Sequence, residues 1–222
     1  MAGLDTILRQ PTAGRRISSA ALRAPRLLMS WEDWLTLLFA VVTFVSVAVS
    51  IQRAHWIDNM PPLVPTALAA LVIGLLAARV RAPGILLLPV VLLLGAAVVV
   101  LASQPYAEGV SLAERLADFR FRMAEWWQVV WAGDISNDNL PFVTSVQTVT
   151  FAYCLLAAWS IYRWRTAWVA IIPAGFVLLS NISFMRGHPS GAFVAYLFGS
   201  LLLVSRLHIQ SSQARWQRER TS

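Results

Sequence analysis

Apolar residues fall into six long blocks, Leu35 to Ile51, Leu63 to Ala78, Gly84 to Ser103, Leu140 to Tyr162, Thr166 to Met185 and Gly191 to Ser205, and none contains Asp, Glu, Lys or Arg. The hydrocarbon core of a bilayer needs about 20 residues of helix, with a usual range of about 17–25. Four blocks meet that length directly, while the second and sixth fall short by a turn. Met60, Pro61 and Pro62 extend the second, and His188 to Ser190 extend the sixth. The pattern predicts an all-α, polytopic integral membrane helical bundle with six transmembrane helices.

The connection between the third and fourth blocks, Gln104 to Asn139, has a different period. Leu112, Leu116, Phe119, Met123, Trp126, Trp127 and Val130 recur at steps of three and four, and Ser111 followed by Glu114 is a capping-box signature. This predicts an amphipathic helix over residues 111–131, with Asp118 and Arg122 paired at i,i+4 on its charged face. Its apolar face ends in indoles, so it is expected in the membrane plane on the outer side. A lid that gates a ligand is the alternative.

Composition agrees with this reading. Of 222 residues, 58% are hydrophobic against roughly 45–50% for a soluble domain, and only 13% are charged. A single water-soluble domain is excluded, because so much apolar surface has no interior to occupy. The eighteen basic residues are all Arg and give a net charge of +7. They divide unequally between alternate loops. Thirteen lie in residues 1–30, the turns at Arg79/Arg81 and Arg163/Arg165, and the tail with Arg206, Arg215, Arg218 and Arg220. The other loops hold five: Arg53, Arg115, Arg120, Arg122 and Arg186. The positive-inside rule then places both termini in the cytoplasm, and the charge belongs to loops rather than to a nucleic-acid surface. The expected localisation is the bacterial cytoplasmic membrane. All ten Trp residues fall near block ends, as an interfacial belt requires.

The expected organisation is a basic cytoplasmic segment at 1–30, a six-helix domain at 31–208 with its outer loop at 104–139, and a basic cytoplasmic tail at 209–222. The first block reads as a retained signal anchor, because Gln52-Arg53-Ala54-His55-Trp56 lacks a small-x-small cleavage pattern. Residues 1–30 read either as a basic surface helix on anionic lipid or as a disordered orienting segment. Arg79, Arg81, Pro89 and Arg163, Arg165, Pro173 share their spacing, as a duplicated hairpin would, although for so few positions coincidence is the better reading.

Candidate chemistry is sparse. Ion-coupled transport usually uses an ionisable residue inside a span, and the six blocks hold none. Thr144, Gln147, Thr148 and Asn181 are expected to hydrogen-bond between helices or to sit near headgroups, with a substrate path as the alternative. Ser190 and His188 open the last block and His208 closes it, so His208 is too far away to serve Ser190 as a base. His188 is near enough, but the Gly-x-Ser-Gly pattern that usually bears such a nucleophile is absent, so Ser190 reads as a helix cap. His55 has no metal-ligand spacing, and one cysteine, Cys154, permits no internal disulfide and reads as packing. No catalytic, cofactor-binding or metal-ligating residue is assigned.

Several short segments occur in a recognisable order. They are Trp31-Glu32-Asp33-Trp34-Leu35-Thr36, Ser111-Leu112-Ala113-Glu114-Arg115-Leu116, Ser136-Asn137-Asp138 with Phe142, Pro173-Ala174-Gly175 with Asn181-Ile182-Ser183-Phe184, and Arg206-Leu207-His208 with Arg215-Trp216. Their order resembles the membrane-embedded N-terminal region of bacterial transglutaminase-like proteins of the TgpA type, over residues 31–218. The resemblance implies a membrane anchor for a papain-like domain with a Cys-His-Asp triad, placed outside the cytoplasm and downstream of the helices. No segment here matches that triad, and Cys154 is not carried over as its nucleophile. The expectation is a non-catalytic membrane domain, a fragment or split subunit, whose partners are the lipid bilayer and a transglutaminase-like domain in cis or in trans. A small transporter or half-transporter is the second expectation.

Overall fold

A computed structural model describes residues 31–54, 56–57, 60–80, 82–184 and 191–219. The expectations for residues 1–30, His55, Arg81, Arg186, His188 and Ser190 lie outside the described residues. Among the described residues the chain is all-helical, without strands. Its helices are α1 (Trp31–Arg53), α2 (Leu63–Arg79), α3 (Gly84–Ser103), α4 (Leu112–Ala132), α5 (Asn139–Tyr162), α6 (Trp168–Phe184) and α7 (Gly191–Glu219), with a short 3-10 turn at Gln104–Tyr106 after α3.

Four stretches are long and apolar enough to cross a membrane: Trp31–Arg53, Gly84–Tyr106, Asn139–Tyr162 and Gly191–Ser212. This is fewer than the six expected, and the two short helices are α2 and α6, with 17 residues each. At 1.5 Å per residue each rises about 26 Å, against a hydrocarbon core of about 30 Å. The expected extension of α2 over Met60 to Pro62 does not occur. Pro62 stands at the N-cap in extended conformation, φ −68° and ψ 109°. A proline also disfavours helix in the residue before it, so Pro61 cannot begin one. In α6 the loss is at the start, because the turn after α5 takes up residues 163–167. Arg165 has φ 55°, the Thr166 amide donates to the Ser160 carbonyl, and Ala167 O accepts from Ala170 and Ile171.

The last helix differs in the opposite sense. Helix α7 gains its length beyond Ser205, running unbroken to Glu219, so the basic tail expected from residue 209 continues the same helix. No Gly or Pro interrupts residues 206–219, and each residue there tolerates a helix interior.

Contacts between distant residues give the arrangement of the bundle. One end gathers Asp33, Arg79, Tyr162, Arg163, Arg206 and Gln210. The other gathers Ser50, Trp56, Pro62, Thr66, Gln147 and Asn181. Helices α1 and α6 therefore run one way and α2, α5 and α7 the other, and α2 reaches from one end to the other despite its length. Helix α3 returns from the first end and places Ser103 against Thr144 of α5.

Small residues let the helices approach closely. Ala67, Ala70 and Gly74 of α2 face Cys154, Ala157 and Ala158 of α5 in the longest seam. A Cβ on Gly74 would stand 2.7 Å from Ala158 Cβ and 3.1 Å from the Leu155 carbonyl. In the α1–α7 seam, a Cβ on Gly199 would stand 2.6 Å from Thr43 Oγ1. Such closeness is how helices associate where lipid is as apolar as Leu and burial alone drives little.

Helix α3 is peripheral. It packs on α2 and α5, and its remaining surface is aliphatic and exposed, including Ile85 and Leu93. Helix α6 packs on α1, α5 and α7. Had the two Arg-x-Arg hairpins been copies in packing as well as spacing, α6 would meet α2 as α3 meets α5. It meets α1 and α5 about equally instead.

Candidate functional site

Four polar clusters stand out, and each ties segments far apart in the chain. The first lies where α1 and α6 cross. Asn181 Nδ2 donates to the Ser50 carbonyl at 2.8 Å and to Ser50 Oγ at 3.0 Å, while its Oδ1 accepts from Trp56 Nε1 at 3.2 Å. Asn181 and Ser50 are buried. The carboxamide thus bridges a helix end and the loop beyond it.

The second joins α2 and α5. Thr66 Oγ1 donates to Gln147 Oε1, and Gln147 Nε2 donates to the Pro62 carbonyl at 3.4 Å. Gln147 is fully buried. Pro62 is the N-cap of α2, so this bond ties α5 to the start of that helix. Thr144 bonds Ser103 Oγ of α3 at 3.4 Å and its own Leu140 carbonyl, whereas Thr148 bonds only within α5, to Thr144 O. Of the four polar residues singled out in the blocks, three join helices and one does not.

The third cluster holds α4. The capping box forms as expected: Ser111 Oγ accepts from the Glu114 amide, and the Glu114 carboxylate accepts from the Ser111 and Val110 amides. Those amide donors hold the Glu114 carboxyl below its ordinary pKa. Gly133 ends α4 with φ 78°, in the left-handed region. Arg122 does pair with Asp118, at 3.5 Å, but its closer partner is Asp138, which it grips in a two-pronged contact that includes Nε to Oδ2 at 2.8 Å. Its Nη1 also donates to the Tyr106 carbonyl at 3.0 Å. Asp138 in turn caps α5 by accepting from the Leu140 amide. The Arg122 hydrogen bonds hold the Asp138 carboxyl below the usual carboxylate range and raise the guanidinium pKa further. No residue of α4 is buried, so the helix sits beside the bundle on this tether.

The fourth cluster closes the opposite end. Arg79 Nη2 meets Asp33 Oδ2 at 2.8 Å, and Arg206 Nη2 stands 3.0 Å from Glu32 Oε2. Tyr162 Oη donates to the Asp33 carbonyl, and Arg163 donates to the Val80 and Ala82 carbonyls while lying over the Trp159 ring. These side chains fasten α1, α2, α5 and α7 together.

The remaining candidates are not brought together. Cys154 is buried in the α2–α5 seam as a free thiol. His208 is exposed on α7. No group of three His, Cys, Asp or Glu placed to hold a metal ion occurs among the described residues. The sequence reading missed Ser50, Trp56, Thr66, Asp33 and Asp138 as partners. Only Asp138 carried a local signal, as an N-cap residue directly before a helix. No family model, curated protein or solved structure matches the chain.

Proposed function

We propose that this chain is a non-catalytic membrane domain of the bacterial cytoplasmic membrane, with six spans and both chain ends in the cytoplasm, that anchors and regulates a transglutaminase-like domain supplied in cis or in trans. One observation carries the reading. The segments whose order resembles the TgpA-type region contribute residues to several of the ties and helix caps described above. Glu32 and Asp33 meet Arg206 and Arg79, Ser111 and Glu114 cap α4, Asp138 caps α5 and grips Arg122, and Asn181 holds Ser50 and Trp56. Residues that specify how a bundle closes are those a membrane anchor needs.

The short helices fit this proposal. A 17-residue helix lies within the spanning range, and thinning of the bilayer or snorkelling of flanking residues absorbs the few ångströms of mismatch. The end bearing Arg79, Arg163, Arg165 and Arg206 is the cytoplasmic one by the positive-inside rule, and α4 is on the outer side. Against the transporter reading stands the use of Gln147 and Asn181 in bonds between helices.

Two experiments test the proposal. Alkaline phosphatase fused after Asp134 is expected to be active and after Ser222 inactive, and the reverse would overturn the topology. Reading several hundred residues onward in frame, or in the adjacent gene, is expected to reveal a further span and a Cys-His-Asp domain; finding neither sinks the anchoring role. Specific solute flux in proteoliposomes, lost on substituting Gln147 and Asn181, would favour a transporter.

A further inference from the structure

Helices α1, α5 and α6 enclose a cavity of about 380 Å³ near the Asn181 end, open at its side between α5 and α6. Ile51 and Met60, Phe142 and Val146, and Phe176 and Val177 supply its walls. Asn181, buried, and Trp56, exposed, also line it. Val149 and Phe176, 61% and 73% exposed, mark the lateral mouth. We propose that this cavity is a binding site for one acyl chain of a membrane lipid.

Chemistry and shape select that occupant. No charged side chain lines the cavity. Its one carboxamide is already spent on Ser50 and Trp56, and Ser145 Oγ donates to its own Pro141 carbonyl. A polar solute or ion would lose its hydration and find only the Thr150 and Ser180 hydroxyls in return, which do not replace it. A flexible hydrocarbon chain needs no polar partner, conforms to the slot and enters from the side where hydrocarbon is the solvent. Trp56, fixed by Asn181, closes the end of the slot at the level where an indole prefers headgroups.

The inference rests on the reading that these helices cross a bilayer, and the test separates the two. The full chain is reconstituted into phosphatidylcholine vesicles doped with a phosphatidylcholine carrying a diazirine on its acyl tail. After photolysis, labelled residues are mapped by mass spectrometry. Labelling of Val146, Val149 and Val177 is expected to exceed that of Leu93 and Leu94, on the exposed face of α3, by about tenfold. Val146→Trp fills the slot and Val149→Trp plugs its mouth; either is expected to remove the excess and leave α3 labelling unchanged. Two variants guard against one that fails to fold, and the wild-type ratio stands without them. Equal labelling of cavity and α3, or an excess that survives in a folded filled variant, overturns the lipid site. Absence of labelling on α3 as well overturns the membrane-crossing reading along with it.

Discussion

The two ends of the bundle are fastened by different chemistry. At the Asp33 end, guanidinium groups on α2 and α7 reach carboxylates on α1, and Arg163 covers the carbonyls left by the α2–α3 turn. At the Asn181 end, neutral amides and hydroxyls do the joining, through Asn181–Ser50–Trp56 and Gln147–Thr66. The ionic end uses long, partly exposed side chains that span gaps, so its helices need not touch. The neutral end uses amides and hydroxyls buried between helices, with Trp56 outside them, so contact is close where they bond and a cavity remains where they do not. A charge pair can be built only where water or headgroups solvate its remainder, whereas a carboxamide can be satisfied fully inside.

The strongest way to break this contrast lies in the seam that serves both ends. Gly74→Leu forces side-chain atoms into Ala158 and the Leu155 backbone. It is expected to cost at least about 1–3 kcal/mol, read as lost resistance to denaturing detergent by the purified protein. Next comes Asn181→Leu, which strands the Ser50 hydroxyl and the Trp56 indole. A loss of about 1–2 kcal/mol is expected, together with a shift in Trp56 emission.

Arg79→Gln, at the ionic end, is expected to cost about 0–1 kcal/mol, and that difference should shrink as salt rises from 0.05 to about 0.5 M. If Arg79→Gln proves as harmful as Asn181→Leu, the contrast between the ends is wrong. The smallest effect concerns α4. Because the folded pKa of Asp138 is depressed, the tether is intact above the ordinary carboxylate pKa of about 3.9 and is lost only as pH falls through the lower folded value. Amide exchange in α4 should therefore stay slow at pH 5, and Arg122→Gln should accelerate it there. Equal exchange in the variant and the parent would remove the tether.

Periodicity made most of the helices legible. The uncharged blocks mark where α1 to α3 and α5 to α7 lie, and the Ser111/Glu114 box marks the start of α4, because both signals act within one helical turn. Lengths were harder to read. Apolar residues are equally at home in a helix or in the turn before it, so nothing in Thr166 to Ala167 distinguished a span from a cap, and α6 starts at Trp168. Arg122 shows the same limit for side chains. Its i,i+4 neighbour Asp118 was visible, yet the closer grip is on Asp138, sixteen residues away.

The linear order of residues settles that this chain is helical and unusually apolar, with Arg concentrated between alternate apolar blocks and Trp near their ends, since each property follows from composition or from spacing within a few turns. Folding in three dimensions decided what each polar residue is for. Asn181 and Trp56 are separated by 125 positions, and Gln147 and Thr66 by 81. No local rule selects such partners. They are chosen by where small residues allow helices to cross, and the same crossings leave the cavity between α1, α5 and α6.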